Sequence, residues 1–468
     1  MVFSTYLFIF WFLLVALGVY ALLPNRHRNL WLAFVSYVFY GWFRPRYCLL
    51  LLATTLFNYY CGRRIAESEE PRRRKFFVTL SVVGSLGLLG FFKYAGMLSE
   101  WMDNGLSLLL GSADGEQVVP ILNVVLPIGI SFFIFQAISY TVDIYRGHAK
   151  PAKNLISFAA YIAMFPQLVA GPIVRYQTVA ESLRDRRHGV DKVLLGVRFF
   201  ILGLAKKVLL ADSFGLLVPL AFGPQTPEFG AAWVGVLAYS LQIYFDFSAY
   251  SDMAVGLGLF LGFSFPQNFD SPYKSGSITE FWRRWHISLS TWLRDYLYFP
   301  LGGNRHGPWK TYRNLFLVML LGGLWHGASV MFLIWGAWHG VLLAVERWLG
   351  PAHPLRKLPR PVTVALTTFL VVLGWVPFRS ESMEQVGHVF SAMFRPDTSW
   401  MLHSLPAGSM VVAWLVPVFV AICWIAPNSW DLVRDLRFSR LVRDSLLSAV
   451  LILIVLSQRE SPFLYFQF

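Results

Sequence analysis

The residues of this sequence best suited to proton transfer are two histidines in one apolar run. The triplet Trp-His-Gly occurs at Trp325–Gly327 and again at Trp338–Gly340, inside a segment from 314 to 345 that has no Asp, Glu, Lys or Arg. A neutral imidazole accepts a proton near pH 7 without the penalty of a buried fixed charge, so His326 is a candidate general base for a hydroxyl or thiol. The alternative, equally weighted, is a polar side chain bonded to a neighbouring helix.

The second histidine of this run, His339, is the weaker candidate. On a continuous helix it would lie roughly 20 Å from His326 and point about 140° away. Gly327 and Gly336 permit a bend, and only a break of the helix would let the two rings share a site. The sequence therefore favours a packing or boundary position for His339.

A third histidine, His286, follows Arg283 and Arg284 in a polar, tryptophan-rich stretch. His286 could supply a second catalytic position or orient an acceptor, and the two arginines could bind an anionic donor such as a phosphate. The alternative, slightly favoured on spacing alone, is an interfacial helix anchored to lipid headgroups.

The stretch that carries His286 is predicted to be an amphipathic helix within residues 275–305. Ser277 at the N-cap and Glu280 three residues later form a capping-box pattern, and Pro300 should end the helix. The two sides of this helix differ: one carries Trp282, Trp285, Leu289 and Trp292, and the other carries Arg284, Ser288, Thr291 and Asp295.

Two carboxylates, Asp246 and Asp252, lie in the apolar segment QIYFDFSAYSDMAVG. A spacing of six residues does not place them on one helical face, so a carboxylate pair is weakly supported. Structural hydrogen bonding, or an ion pair with an arginine of the amphipathic helix, is at least as well supported. The three cysteines have no metal-ligand spacing, and no metal site is predicted.

The composition indicates which elements position these residues. The chain has 468 residues, 56% hydrophobic and only 14% charged, with a mean hydropathy of +0.53, whereas soluble domains carry about 25% charged residues. Apolar segments recur from end to end, which predicts an all-α polytopic membrane protein with about ten to twelve spans.

The net charge of +14 is concentrated in short loops such as 63–75 and 184–188. Short basic loops are typical of the cytoplasmic side of a membrane protein, and this placement puts the N-terminus outside. They do not indicate nucleic-acid binding.

Long motifs make the sequence similar to the membrane-bound O-acyltransferases of bacterial polysaccharide modification, especially those of alginate O-acetylation. The similarity runs from Met1 to about Trp348 and resumes in the last eight residues, whereas residues 381–459 do not match. The motifs are YFDFSAYSDMAVGLGL, SITEFWRRWHISLSTWLRDYLYFPLGGNR and GGLWHGASVMFLIWGAWHG, with MVFS, LPIGISFFIFQAISYTVDIYRG and SPFLYFQF in addition.

The resemblance implies acyl transfer by a single membrane-embedded domain, residues 1–468, with 275–345 as its catalytic core. It implies a ring of tilted transmembrane helices, with re-entrant or amphipathic helices, around a central tunnel. It assigns catalysis to His326 and places His286 in the same tunnel, with no comparable role for His339. We add, as candidates for contact with substrate or tunnel, Trp325, Arg283, Arg284, Asp295, Asp246 and Asp252.

The resemblance also implies the substrates and partners. The donor would be acetyl-CoA or an acetylated carrier, with no bound cofactor, and the partners would be periplasmic polysaccharide acetyltransferase proteins at the bacterial inner membrane. Alginate is the favoured polymer. Acetylation of cellulose or peptidoglycan and D-alanyl transfer to teichoic acid remain alternatives. A transporter that moves acetyl donors or polymer without chemistry is the non-enzymatic alternative.

Overall fold

Helices form all the regular structure that is described. The computed structural model describes residues 1–110, 117–223, 226–350, 357–396 and 409–434, together with 447, 448, 450, 451, 454 and 455, and it has no strand in these ranges. The C-terminal motif SPFLYFQF lies outside the described residues. The predicted all-α class is confirmed.

The helices are numbered in chain order. The first five are α1 (Leu13–Leu22), α2 (Asn25–Gly41), α3 (Tyr47–Glu67), α4 (Pro71–Leu110) and α5 (Ile130–Tyr145). The middle of the chain forms α6 (Leu155–Ala163), α7 (Phe165–Leu168), α8 (Tyr176–Arg184), α9 (Val190–Ala205), α10 (Asp212–Gly215), α11 (Pro219–Phe222) and α12 (Phe229–Phe260). The last part forms α13 (Ile278–Arg284), α14 (Ile287–Leu293), α15 (Pro308–His326), α16 (Val330–Leu349), α17 (Arg360–Arg379), α18 (Met383–Met393), α19 (Ser409–Ile425) and α20 (Ser429–Arg434). Shorter segments are π-helical at Phe8–Phe12, Lys206–Ala211 and Arg294–Tyr298, and 3-10 helical at Pro272–Lys274.

Long apolar helices are fewer than the apolar segments of the sequence. Within the described residues, α4, α16 and α17 are long and apolar enough to cross a membrane. Shorter apolar helices cover Phe8–Leu22, Ile130–Tyr145 and Met410–Ile425. Some of the predicted spans were expected to be short or broken, and several of the apolar segments are indeed interrupted. The apolar segment 154–174, for example, contains α6, α7 and a non-helical end.

The helix α12 runs through the interior of the protein, and its side chains are buried almost without interruption from Gly230 to Leu259. It packs against α9 through small residues: a Cβ atom on Gly203 would lie 2.7 Å from the carbonyl oxygen of Ala249. Small residues at such contacts let helix backbones approach closely. The aspartates of α12 are therefore fixed in the protein core.

The apolar run with the two Trp-His-Gly triplets forms two helices, not one. α15 ends at His326, and Ser329 caps the start of α16, accepting a hydrogen bond from the Met331 N–H. α16 then runs antiparallel to α15 and packs closely against it. The close packing is evident at Gly336, where a Cβ atom would lie 2.5 Å from the Met319 carbonyl oxygen. The separation of roughly 20 Å was expected only for a continuous helix, and the break between α15 and α16 removes that condition.

The stretch predicted as one amphipathic helix is also broken. Its capping box is confirmed in part: Ser277 Oγ accepts from the Glu280 N–H at 3.1 Å, while the Glu280 carboxylate accepts from the Gly276 N–H instead of that of Ser277. α13 ends at Arg284, and His286, in the left-handed region with φ of 44°, separates it from α14. The π-helical segment after α14 ends at Tyr298, before Pro300, so the helical structure ends where the sequence predicted.

Candidate functional site

The indole of Trp325 contacts both candidate catalytic imidazoles. Its ring centroid lies 5.0 Å from that of His326 and 6.2 Å from that of His286. All three side chains are buried, with exposed fractions of 4% for Trp325, 7% for His326 and 0% for His286. The structure thus brings His286, which lies between α13 and α14, next to the adjacent Trp325 and His326 at the end of α15.

His326 is positioned by the end of α15, whose last carbonyl groups receive hydrogen bonds from α4. The Tyr94 hydroxyl donates to the Leu324 carbonyl at 2.7 Å, and the Lys93 ammonium donates to the Trp325 carbonyl. Such groups lack partners within their own helix, so these bonds hold the turn that presents His326. Lys93 was not identified from the sequence, because the apolar segment before it ends at residue 92 and makes it resemble the end of a span.

A cavity of about 110 Å³ lies beside His326 and is lined also by Lys93, which leaves room for several water molecules. A second cavity of about 240 Å³ is lined by residues that include Met1 and Arg44. The two cavities have three lining residues in common, Leu126, Ile128 and Val169. Adjoining space therefore leads from the neighbourhood of His326 towards the loop between α2 and α3.

His286 is placed by a backbone clamp between two segments. The Asp270 N–H donates to the Arg284 carbonyl at 2.9 Å, and the Ile287 N–H donates to the Asn268 carbonyl at 2.9 Å. A left-handed histidine costs free energy unless the surrounding structure fixes it. The clamp supplies that constraint and directs the His286 ring into the core, edge to face with Phe247 at 4.7 Å.

His339 lies one indole away from His326. The Trp335 ring is 5.0 Å from the His326 ring and 5.2 Å from the His339 ring. His339 Nδ1 accepts from the Trp282 indole N–H at 3.3 Å, and its ring stacks with Phe281 at 6.1 Å. These are contacts of a packed aromatic core.

The two arginines before His286 differ in their surroundings. Arg284 forms ion pairs with Asp270 and Glu280, each at 3.1 Å, and Glu280 pairs also with Arg360 at 2.8 Å. Arg283 is exposed on α13. The binding of an anionic donor by these arginines stays a prediction.

Asp295 lies after α14, in an ion-pair cluster. Its carboxylate bonds to Arg175 and to Arg294, each at 2.7 Å. The Arg146 guanidinium donates to the Asp295 carbonyl at 3.1 Å. These contacts tie the π-helical turn after α14 to α5 and α8, and a tunnel role for Asp295 stays a prediction.

The two aspartates of α12 pair with consecutive lysines, and not with an arginine of the amphipathic stretch. Asp246 lies 2.9 Å from Lys207, which also pairs with Asp212 at 2.7 Å. Asp252 pairs with Lys206 at 2.6 Å. Both lysines lie in the π-helical segment after α9, so these charges join α9 to α12. Contact of either aspartate with substrate stays a prediction.

Comparisons with known proteins place these residues in a family context. The sequence model of MBOAT, the membrane-bound O-acyltransferase family, matches residues 146–372, which include His286, Trp325 and His326. The chain is 44% identical over 495 residues to the probable alginate O-acetylase AlgI of Pseudomonas putida, covering 100% of both chains. It is 48% identical over 428 residues to AlgI of Pseudomonas aeruginosa, covering 90% of this chain and 81% of the relative. It is 33% identical over 526 residues to the peptidoglycan O-acetyltransferase of Helicobacter pylori, covering 100% of this chain and 98% of the relative.

Proposed function

Because the chain belongs to the membrane-bound O-acyltransferase family and is a multi-pass O-acyltransferase, we propose that it moves acetyl groups from a cytoplasmic donor across the bacterial inner membrane. The acetyl groups serve the O-acetylation of an exported polysaccharide. Alginate is the polymer we favour, since both Pseudomonas relatives are probable alginate O-acetylases. The observation that carries the proposal is the buried contact of Trp325 with both His286 and His326.

In the proposed reaction, His326 accepts the proton of the acceptor hydroxyl while the hydroxyl oxygen attacks the acetyl carbonyl. A C–O bond forms, the C–S bond to the donor thiol breaks, and the imidazolium returns its proton to the leaving thiolate. Negative charge develops on the carbonyl oxygen during this step. Lys93 lines the same cavity as His326 and has three N–H donors, of which one is used on Trp325. Lys93 is therefore our candidate for stabilising that charge.

The direction of acceptor entry follows from the charge of the loops. The basic segment 63–75, which contains the end of α3 and the start of α4 at Pro71, favours the cytoplasm. Lys93 is 22 residues further along α4, roughly 33 Å away, which is comparable to the thickness of the hydrocarbon core. The neighbourhood of His326 thus lies towards the other side, where the adjoining cavities reach Met1. We infer that the N-terminus and the acceptor approach are periplasmic.

The proposed donor is acetyl-CoA or an acetylated carrier, which enters from the cytoplasm. The proposed acceptors are periplasmic polysaccharide acetyltransferase proteins, which would pass the group to the polymer. The proposed donor and acceptor proteins are both supported by the resemblance of the sequence motifs to the polysaccharide-modifying branch of the family.

Replacement of Lys93 by methionine is expected to lower kcat for acetyl transfer by about 10- to 100-fold, because it removes both a brace of the α15 end and a donor beside the reacting carbonyl. The matched control is Tyr94→Phe, which removes the neighbouring bond to Leu324 but leaves the Lys93 contact with Trp325 intact. Acetylation rates per inserted protein are compared. Equal effects of the two changes would assign Lys93 a bracing role alone.

Deletion of the gene is expected to remove O-acetyl esters from the exported alginate and to leave peptidoglycan O-acetylation unchanged. Base-labile acetate is measured on both purified polymers, with the wild-type gene and the empty vector as complementation controls. Loss of acetate from peptidoglycan alone would make the choice of alginate wrong. Unchanged acetate on both polymers would contradict the proposed function.

A further inference from the structure

One amide side chain, that of Asn268, contacts the His286 ring. Asn268 Oδ1 lies 3.2 Å from His286 Nδ1. The same oxygen accepts from the Ser288 N–H at 3.1 Å and from the Ser288 hydroxyl at 2.9 Å. At its other end, Asn268 Nδ2 donates to Ser251 Oγ at 3.0 Å. All four side chains are buried, so each polar atom depends on these partners.

The surrounding donors determine the orientation of the Asn268 amide. A backbone N–H can only donate, so the amide atom that faces the Ser288 N–H is the oxygen. Ser288 Oγ accepts from the Ile173 N–H at 3.0 Å, and its own proton is directed to Asn268 Oδ1. The Ser251 hydroxyl oxygen is a suitable acceptor for the amide nitrogen.

This orientation determines the tautomer of His286. Asn268 Oδ1 has lone pairs and no proton, so a hydrogen bond between it and His286 Nδ1 requires the proton on Nδ1. In the neutral ring, Nε2 then carries the lone pair. His286 Nε2 is buried and has no hydrogen-bond partner among the described residues.

The same residue also fixes the backbone that carries the ring. The Asn268 carbonyl accepts from the Ile287 N–H at 2.9 Å, directly after the left-handed His286. The side chain of Asn268 and its main chain therefore set the tautomer and the direction of the His286 ring together.

We infer that Asn268 is a positioning residue that holds His286 with its proton on Nδ1, so that the Nε2 lone pair is offered to a substrate hydroxyl or thiol. This inference rests on the proposed function, because it takes the buried neighbourhood of Trp325 as the place of acyl transfer. A hydroxyl or thiol donates to this nitrogen, whereas a carbonyl oxygen cannot. In its neutral form, His286 thus orients the nucleophile, whose proton goes to His326, and it does not stabilise the carbonyl oxygen.

Asn268→Ala is expected to lower kcat by about 10- to 100-fold, as the loss of a group that orients a functional histidine commonly does. Asn268→Asp keeps an acceptor for His286 Nδ1 and for both Ser288 donors, so it is expected to recover most of the activity. Ser251→Ala is the matched control, because it removes the contact of Asn268 Nδ2 but leaves all contacts of Asn268 Oδ1, so its kcat is expected to fall less than that of Asn268→Ala. An Asn268→Ala variant with wild-type kcat would overturn the positioning role.

The tautomer is measured separately by nitrogen-15 magnetic resonance of histidine-labelled protein in lipid bilayers, with the His286 signals assigned by their loss in His286→Gln. We expect a protonated Nδ1 and an unprotonated Nε2 in the wild type and in Asn268→Asp, and mixed tautomers in Asn268→Ala. A wild-type ring with its proton on Nε2 would overturn the inference even if acetyl transfer is intact. Since this measurement needs no turnover, a failure of the proposed reaction would leave the tautomer result standing.

Discussion

Replacement of His326 by alanine lowers the rate of O-acetylation by about 10²- to 10⁴-fold, which is the usual contribution of a positioned general base. The imidazole lies at the end of α15, within 5.0 Å of Trp325 and of Trp335, measured between ring centroids. The measurement is the acetyl content of the exported polymer per membrane-inserted protein.

The control for this change is His306→Ala, since His306 is exposed in the turn before α15. That variant should acetylate as the wild type does. His326→Gln, which keeps polar bulk in the same place, should be as inactive as the alanine variant. Wild-type acetylation by a properly inserted His326→Ala protein would end the assignment of His326 as the base.

Replacement of Lys207 by methionine destabilises the protein by about 3–5 kcal/mol, the cost of leaving one partner of a buried ion pair behind. The Asp246 side chain is 1% exposed and lies 2.9 Å from the Lys207 ammonium. Asp212, the second partner of Lys207, is 21% exposed and can turn to water. The measurements are the thermal unfolding midpoint in detergent and the amount of protein in the membrane.

The double variant Lys207→Met with Asp246→Asn separates a structural role of Asp246 from a substrate role. It removes both buried charges at once, so most of the stability should return, and its acetylation rate should approach that of the wild type. A stable double variant that fails to acetylate would instead support contact of Asp246 with substrate. A Lys207→Met protein as stable as the wild type would contradict the ion-pair account.

Local patterns in the sequence predicted some elements and missed others for physical reasons. The cap at Ser277 depends on residues within one turn, and the structure contains it. The breaks at His286 and after His326 depend on distant segments. The break at His286 is held by Asn268, which lies 18 residues earlier in the chain. The break after His326 accompanies the close approach of Gly336 to Met319. Periodicity within one stretch carries no information about such contacts.

The candidate site was predictable to a similar degree. A histidine in an apolar segment suggested that His326 is a general base, and the family motifs placed His286 in the same tunnel. The contact of both rings with the Trp325 indole is a tertiary feature that the sequence does not show. Lys93 is 232 residues from Trp325, whose carbonyl it binds. The lysine partners of Asp246 and Asp252 are likewise 39 and 46 residues away. Spacing along the chain could not identify these partners.

The most direct test of acyl transfer across the membrane uses the purified protein in sealed vesicles. Acetyl-CoA labelled in its acetyl group is supplied only at the face that carries the basic segment 63–75, and the polymer with its periplasmic acetyltransferase is enclosed at the other face. We predict labelled, base-labile ester on the enclosed acceptors and free CoA on the donor side, both absent with His326→Ala. Intact labelled acetyl-CoA inside the vesicles, without ester and independent of His326, would contradict acyl transfer and identify a transporter.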